Sequence, residues 1–124
     1  MANLQQRRSQ NVKGDFYVDS TCIDCDTCRW MAPEVFEHAE GQSAVHHQPT
    51  GEKERLHPLQ ALLACPTASI GTVEKRTDIK ATQLSFPIPV ANNVHHCGYH
   101  AEASFGAASY FIQRPEGNIL VDYA

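Results

Sequence analysis

Short runs of apolar and β-prone residues alternate with turn-forming residues between positions 15 and 75 of the chain. Residues 15–19 are rich in β-prone side chains and predict a first strand, and residues 68–74 predict a closing strand that pairs with it. Between them, residues 35–38 and 43–46 flank the turn-like segment 39–42. That order predicts a β-hairpin.

Two short helices are predicted beside these strands. Residues 29–32 suit one or two helical turns, which Pro33 ends because proline disfavours the α conformation of the residue before it. Pro58 suits the first turn of a second helix, and the leucines within 59–63 follow at the spacing that places them on one buried face. Pro66 ends this helix.

This pattern divides the chain into four segments. Residues 1–14 are polar and aperiodic, so they predict a flexible N-terminal segment. Residues 15–75 form one α+β unit, and residues 76–91, which contain two prolines, are expected to be a linker. Residues 92–124 are expected to carry a C-terminal β-hairpin extension.

Composition narrows the class of protein. The chain has 124 residues, of which 42% are hydrophobic, and its net charge of −4 is spread along the sequence. The sequence shows no cluster of basic residues that would bind a nucleic acid and no run of about 20 apolar residues that would span a membrane. It also shows no pattern of a secretory signal. We therefore expect a cytoplasmic protein with neither a nucleic-acid nor a membrane partner. In that compartment five cysteines favour metal binding over disulfides.

Four of the cysteines have the spacing of a metal site. Cys22, Cys25 and Cys28 follow one another at intervals of three, a spacing that lets one loop wrap around an ion or a cluster, and Cys65 supplies a remote fourth thiol. Four cysteines also bind Zn²⁺ tetrahedrally, but zinc modules usually pair two CxxC knuckles rather than placing three ligands in one loop. An iron–sulfur cluster is the leading interpretation and zinc the alternative.

Residues 15–75 resemble the single-cluster ferredoxins of the bacterial type. The resemblance lies in Cys22-x-x-Cys25-x-x-Cys28, in Ala-Pro-Glu-Val-Phe at 32–36, and in Cys65-Pro66. Ala68-Ser69-Ile70 departs by one residue from the usual ending, a change that concerns strand register rather than ligation.

The resemblance implies a ferredoxin-like α+β fold around one 4Fe-4S cluster, with Cys22, Cys25, Cys28 and Cys65 as its ligands. It also implies single-electron transfer to or from redox enzymes. Four thiolates leave no open iron, so we expect an electron carrier rather than an enzyme. A 3Fe-4S centre is the alternative, but Cys25 is present and favours four irons.

Residues 22–28, which carry three of the cysteines, are called the ligand loop below. Four carboxylates lie close to this loop in sequence: Asp19, Asp24, Asp26 and Glu34. Negative charge near the cluster would lower its reduction potential, whereas solvated loop carboxylates would leave the potential unchanged. Acidic residues would also steer the chain towards a redox enzyme with a basic docking patch.

The fifth cysteine, Cys97, lies in the histidine-rich segment 93–100. Adjacent residues of a strand point to opposite faces, so His95 and His96 are not expected to share one metal ion. No metal site is therefore expected there.

The C-terminal segment supports weaker hypotheses. Residues 109–113 and 119–122 flank a turn-like stretch and predict the hairpin, which is expected to pack on the ferredoxin unit, pair with another chain, or fray. Residues 92–124 resemble the opening strands of a metallo-β-lactamase-fold hydrolase, but that family's HxHxDH motif is missing, so no hydrolase activity is implied. The alternative functions are a redox-sensing or interaction module and a truncated ferredoxin–hydrolase fusion.

Overall fold

The computed structural model describes residues 2–74 and 78–121, which form an α+β chain of three small antiparallel sheets and three helices. In these residues no helix is both long and apolar enough to cross a membrane. The helices are α1 (Thr27–Met31), α2 (Gly51–Ala64) and α3 (Ile79–Gln83), and the strands are β1 (Phe16–Val18), β2 (Phe36–Ala39), β3 (Gln42–Val45), β4 (Ile70–Thr72), β5 (Ile88–Ala91), β6 (Val94–Ala101), β7 (Ala107–Ile112) and β8 (Ile119–Val121).

The strand pairs predicted for the first unit are confirmed. β1 pairs with β4 in the register Val18↔Ile70, and β2 pairs with β3 across the turn at Glu40 and Gly41. Both residues of that turn have positive φ, a conformation suited to a two-residue hairpin. A single apolar core lies between these sheets and the first two helices. Its buried members are Phe16, Val18, Cys28, Ala32, Val35, Phe36, Val45, Leu59, Ala61 and Ile70.

The prediction for α1 is confirmed, but the predicted start of α2 is wrong. The second helix begins at Gly51 and contains Pro58, so it has 14 residues rather than the single short stretch expected from the proline. The Glu54 carboxylate accepts hydrogen bonds from the backbone N–H of Thr50 at 2.7 Å and from its hydroxyl at 2.5 Å. These bonds fix the first turn, and the acidic residues there favour the positive end of the helix dipole.

The described part of the N-terminal segment, residues 2–14, is held by hydrogen bonds to the first unit, whereas the sequence predicted a flexible segment over 1–14. The buried Arg8 donates to the Ser43 carbonyl at 2.7 Å and to the Ala39 carbonyl at 2.8 Å. Asn11 uses its amide oxygen to accept from the backbone of Val18 and Val45. Polar anchors of this kind leave no periodic apolar signal in the sequence, because hydrogen bonds rather than apolar burial hold the segment.

The C-terminal part is a four-stranded antiparallel sheet in the order β5-β6-β7-β8, not an isolated hairpin. The predicted β7–β8 pairing is confirmed, with Phe111 opposite Leu120, whereas Asp122 at the end of the predicted strand lies outside the described residues. The expected linker also differs, because its described part, 78–91, contains α3 and β5. The predicted boundary at 75 and 76 lies outside the described residues.

Candidate metal centre

The four predicted cysteines line one cavity in the first unit. Cys22, Cys25, Cys28 and Cys65 all face it, and its wall is completed by the apolar side chains of the β1–β4 pair, among others. The thiol of Cys28 is buried, whereas the other three are partly exposed. The structure therefore brings the remote cysteine to the same place as the triplet.

Local backbone geometry explains how the loop carries three thiols inward. Asp24 and Asp26 both have positive φ, at 60° and 71°, and they separate the cysteines of the loop. Aspartate tolerates this left-handed conformation better than most residues, so the chain can turn sharply twice within five positions. Cys28 then lies in α1, and Cys65 stands at the C-terminal end of α2.

Backbone N–H groups point at two of the sulfurs. Cys22 Sγ accepts from the N–H of Asp24 at 3.4 Å and from that of Ser43 at 3.5 Å, and Cys65 Sγ accepts from the N–H of Ser69 at 3.3 Å. Donors aimed at a sulfur stabilise its thiolate form and any further negative charge placed there.

Hydroxyl groups accompany the other two sulfurs. Thr27 Oγ1 lies 3.2 Å from Cys25 Sγ, and Ser43 Oγ lies 3.3 Å from Cys28 Sγ. Burial raises the pKa of the Cys28 thiol to about 12, although the hydrogen bond with Ser43 acts in the opposite direction. Free Cys28 is therefore a neutral thiol at neutral pH, and a positively charged metal is needed to hold it as thiolate.

Two of the loop carboxylates are exposed to solvent but also paired with one arginine. Arg29 donates from Nη1 to Asp24 at 2.8 Å and from Nε to Asp26 at 2.6 Å. Asp19 is buried and accepts from the backbone N–H groups of Asn3 and Thr21, so it organises the start of the ligand loop. The Arg29 guanidinium offsets part of the negative charge of Asp24 and Asp26.

Among residues 2–74 and 78–121, no three His, Cys, Asp or Glu side chains are grouped closely enough to hold a single metal ion. A preformed tetrahedral zinc site would place four sulfurs about 2.3 Å from one ion. The described cysteines do not form a preformed site of that kind.

The turn between β6 and β7 lies against Cys25. A Cβ built on Gly106 would stand 2.7 Å from Cys25 Cβ and 3.0 Å from its Sγ, so only glycine fits at this contact. Thr27 Oγ1, which is close to Cys25 Sγ, also lies 3.2 Å from His100 Nδ1 of β6. Residues far along the chain thus reach the ligand loop.

Two histidines of β6 form a buried pair beside this contact. His96 Nε2 lies 2.8 Å from His100 Nε2, and the indole ring of Trp30 packs edge-on against His96 with ring centroids 5.1 Å apart. Burial, followed by the neighbouring His100, lowers the pKa of His96 to about 4, and burial also lowers the pKa of His100. Both rings are therefore neutral at neutral pH.

The sequence analysis considered a shared metal ion only for the adjacent His95 and His96, and it missed the pair formed by His96 and His100. A strand pattern places alternate residues on one face, so the spacing of His96 and His100 was the available signal. Nothing in the sequence indicated that Thr27 and Gly106 would join them. Cys97 lines a separate pocket with Phe86, among others.

Comparison with known proteins bears on the first unit. Residues 18–72, which contain all four cysteines, match the family model described as the 4Fe-4S single cluster domain of Ferredoxin I. The match ends before the C-terminal sheet, and no finding supports the resemblance of that segment to a metallo-β-lactamase fold. No curated protein and no solved structure matches the chain significantly.

Proposed function

We propose that this chain is a small electron carrier of the ferredoxin type, in which Cys22, Cys25, Cys28 and Cys65 hold one 4Fe-4S cluster. The single observation that carries the proposal is that these four cysteines line one cavity inside the segment that matches a single-cluster ferredoxin domain. That match by itself suggests iron–sulfur electron transfer.

The residues around the cavity fit such a group. Four thiols are the donor set of a 4Fe-4S cluster, and all four cysteines line the same cavity. The N–H groups of Asp24, Ser43 and Ser69 supply the sulfur hydrogen bonds that compensate its charge. When bound, a 4Fe-4S cluster takes up and releases single electrons.

The same residues favour electron transfer over catalysis. Four cysteine ligands satisfy all four irons, so no position remains for a substrate. Val18 and Ile70 form an apolar part of the cavity wall and limit access of water from the β1–β4 side. The protein therefore contributes the ligands of the cluster, limits the access of water to it and supplies hydrogen bonds that compensate its charge.

The proposed partner is a redox enzyme with a basic docking patch. Phe105 is 62% exposed and directly precedes Gly106, which lies against Cys25, so it marks a short route from the site to the surface. Glu102 is exposed in the same turn and adds negative charge to a chain of net charge −4.

We expect Glu102→Gln to slow reduction by the partner at low salt, whereas Glu116→Gln in the β7–β8 turn should leave the rate unchanged. Equal rates for the two variants would contradict docking at the turn that carries Glu102.

Pairing of the C-terminal hairpin with another chain stays a separate prediction. Ile119, Leu120 and Val121 of β8 are all exposed, so the strand offers an apolar edge. Sedimentation over a range of concentrations should reveal a dimer, and a monomer throughout would contradict this pairing.

Anaerobic reconstitution with iron and sulfide tests the main proposal. Wild type and Cys97→Ser should bind about four irons and develop a broad visible band, whereas Cys65→Ser should not hold an intact 4Fe-4S cluster. Repeated voltammetric cycles should leave the wild-type signal unchanged. A colourless zinc-loaded protein would contradict the cofactor, and loss of the cluster after one oxidation would favour a redox sensor instead.

A further inference from the structure

The hydrogen bonds between Cys25 and β6 have a defined direction. His100 Nδ1 lies 2.9 Å from the carbonyl oxygen of Gly106, and a carbonyl only accepts. His100 therefore carries its proton on Nδ1. Its unprotonated Nε2 is then the acceptor for the N–H of His96, 2.8 Å away.

This direction decides where the Thr27 hydroxyl points. Thr27 Oγ1 has two near neighbours at 3.2 Å, Cys25 Sγ and His100 Nδ1. Because Nδ1 bears a single hydrogen, which is shared between the Gly106 carbonyl at 2.9 Å and Thr27 Oγ1 at 3.2 Å, the hydroxyl accepts from His100 and cannot donate to it. Its own hydrogen is left for the sulfur of Cys25, which gives a continuous chain of donors that starts at His96.

We propose that His100 is a positioning residue that holds the Thr27 hydroxyl as a donor to Cys25 Sγ and so raises the reduction potential of the bound cluster. This inference rests on the proposed function and names a means by which the C-terminal sheet adjusts it. A donor on a ligand sulfur stabilises the negative charge added on reduction more than the oxidised state, so it favours reduction. Reduction then adds one electron, with no bond broken and no proton required.

The surroundings support a fixed, neutral donor chain. His96 is 1% exposed and His100 is 4% exposed, so water does not compete for their nitrogens. The pKa of each ring is lowered by burial, which keeps both neutral. The close approach of Gly106 to Cys25 holds the sheet, and with it the imidazole, against the ligand loop. Bonds in such a chain polarise one another.

The test compares reduction potentials of iron-loaded variants with a matched control. Thr67 stands two residues after Cys65, as Thr27 stands two residues after Cys25, but its hydroxyl lies 3.6 Å from the ligand sulfur and 2.6 Å from Ser69 Oγ. Thr27→Val should lower the equilibrium constant for reduction about tenfold, equal to about 59 mV for a one-electron couple. Thr67→Val should change it less than twofold.

The role of His100 is tested separately by two variants. His100→Phe removes the Nδ1 donor and should lower the same equilibrium constant about threefold, whereas His100→Asn keeps an N–H and should restore most of it. Equal potentials for wild type and iron-loaded Thr27→Val would overturn the hydroxyl's role. A shift in Thr27→Val with none in His100→Phe would overturn the role of the histidine. If wild type itself takes up no iron, the proposed function fails and this inference with it.

Discussion

Replacing Gly106 by alanine tests the contact through which the C-terminal sheet reaches the ligand loop. Gly106 has φ of +81°, and an added Cβ would lie 2.7 Å from Cys25 Cβ, 3.0 Å from its Sγ and 3.4 Å from Thr27 Oγ1. The first of these distances is shorter than real carbon–carbon contacts. The substitution therefore strains the backbone and pushes the sheet away from Cys25.

Gly41 provides a control with the same backbone conformation. Its φ is +82°, but an added Cβ would meet nothing within 4 Å. Both variants share the cost of placing alanine in the left-handed region, about 1–2 kcal/mol. Only Gly106→Ala adds the overpacking against Cys25, which typically costs about 1–3 kcal/mol. The difference between the two variants should thus be about 1–3 kcal/mol.

The assay is thermal unfolding of the iron-loaded proteins without oxygen, followed by the decay of visible absorbance in air. Gly106→Ala should unfold at a lower temperature than Gly41→Ala, by about 4 °C for each kcal/mol in a chain of this size. It should also lose its cluster faster in air, because the ligand loop is less covered. Equal unfolding temperatures and equal decay rates would refute the contact.

Three further substitutions test the charges and the anchors. Burial lowers the pKa of His96 from 6.5 to about 4, so below pH 6.5 the unfolded chain takes up a proton that the folded chain does not. The free energy of unfolding should therefore fall between pH 6.5 and 4 by at most about 3 kcal/mol. His96→Phe should reduce this pH dependence in thermal unfolding, and an unchanged pH dependence would contradict the role of His96. Arg29→Gln removes the cation that pairs with Asp24 and Asp26, so it should make reduction of the proposed cluster less favourable by an energy on the order of 1 kcal/mol. An unchanged voltammetric potential would show that these carboxylates do not act on the cluster. Arg8→Met removes two hydrogen bonds to carbonyls and should lower the free energy of unfolding in urea by about 2 kcal/mol, and a loss below about 0.5 kcal/mol would contradict the anchoring of the N-terminal segment.

Features with a local cause were predictable from the sequence. Pro33 ends α1 because of its effect on the preceding residue, and the turn at Glu40 and Gly41 joins the strands of the hairpin. The cysteine spacing alone indicated a metal site, and all four thiols line one cavity. Except for the remote Cys65, each of these signals lies within a few residues of the feature that it specifies.

Features held by distant partners were mispredicted. Residues 1–14 looked flexible because their anchors are the side chains of Arg8 and Asn11, whose partners lie up to 35 positions away. The start of α2 was placed at Pro58 because proline usually opens a helix, whereas the turn fixed by Thr50 and Glu54 opens it earlier. In both cases hydrogen bonds to specific partners outweighed the local pattern.

The sequence by itself determined which cysteines are available and the strands and turns that carry them to one cavity. Only the tertiary structure decided what lies against that cavity, since Thr27 and His100 are 73 positions apart. Their meeting depends on the bulge between His96 and His100 in the β6–β7 register and on the close approach of Gly106 to Cys25. Register and close packing between separate units are properties of the folded chain as a whole, because no short stretch of sequence contains both partners.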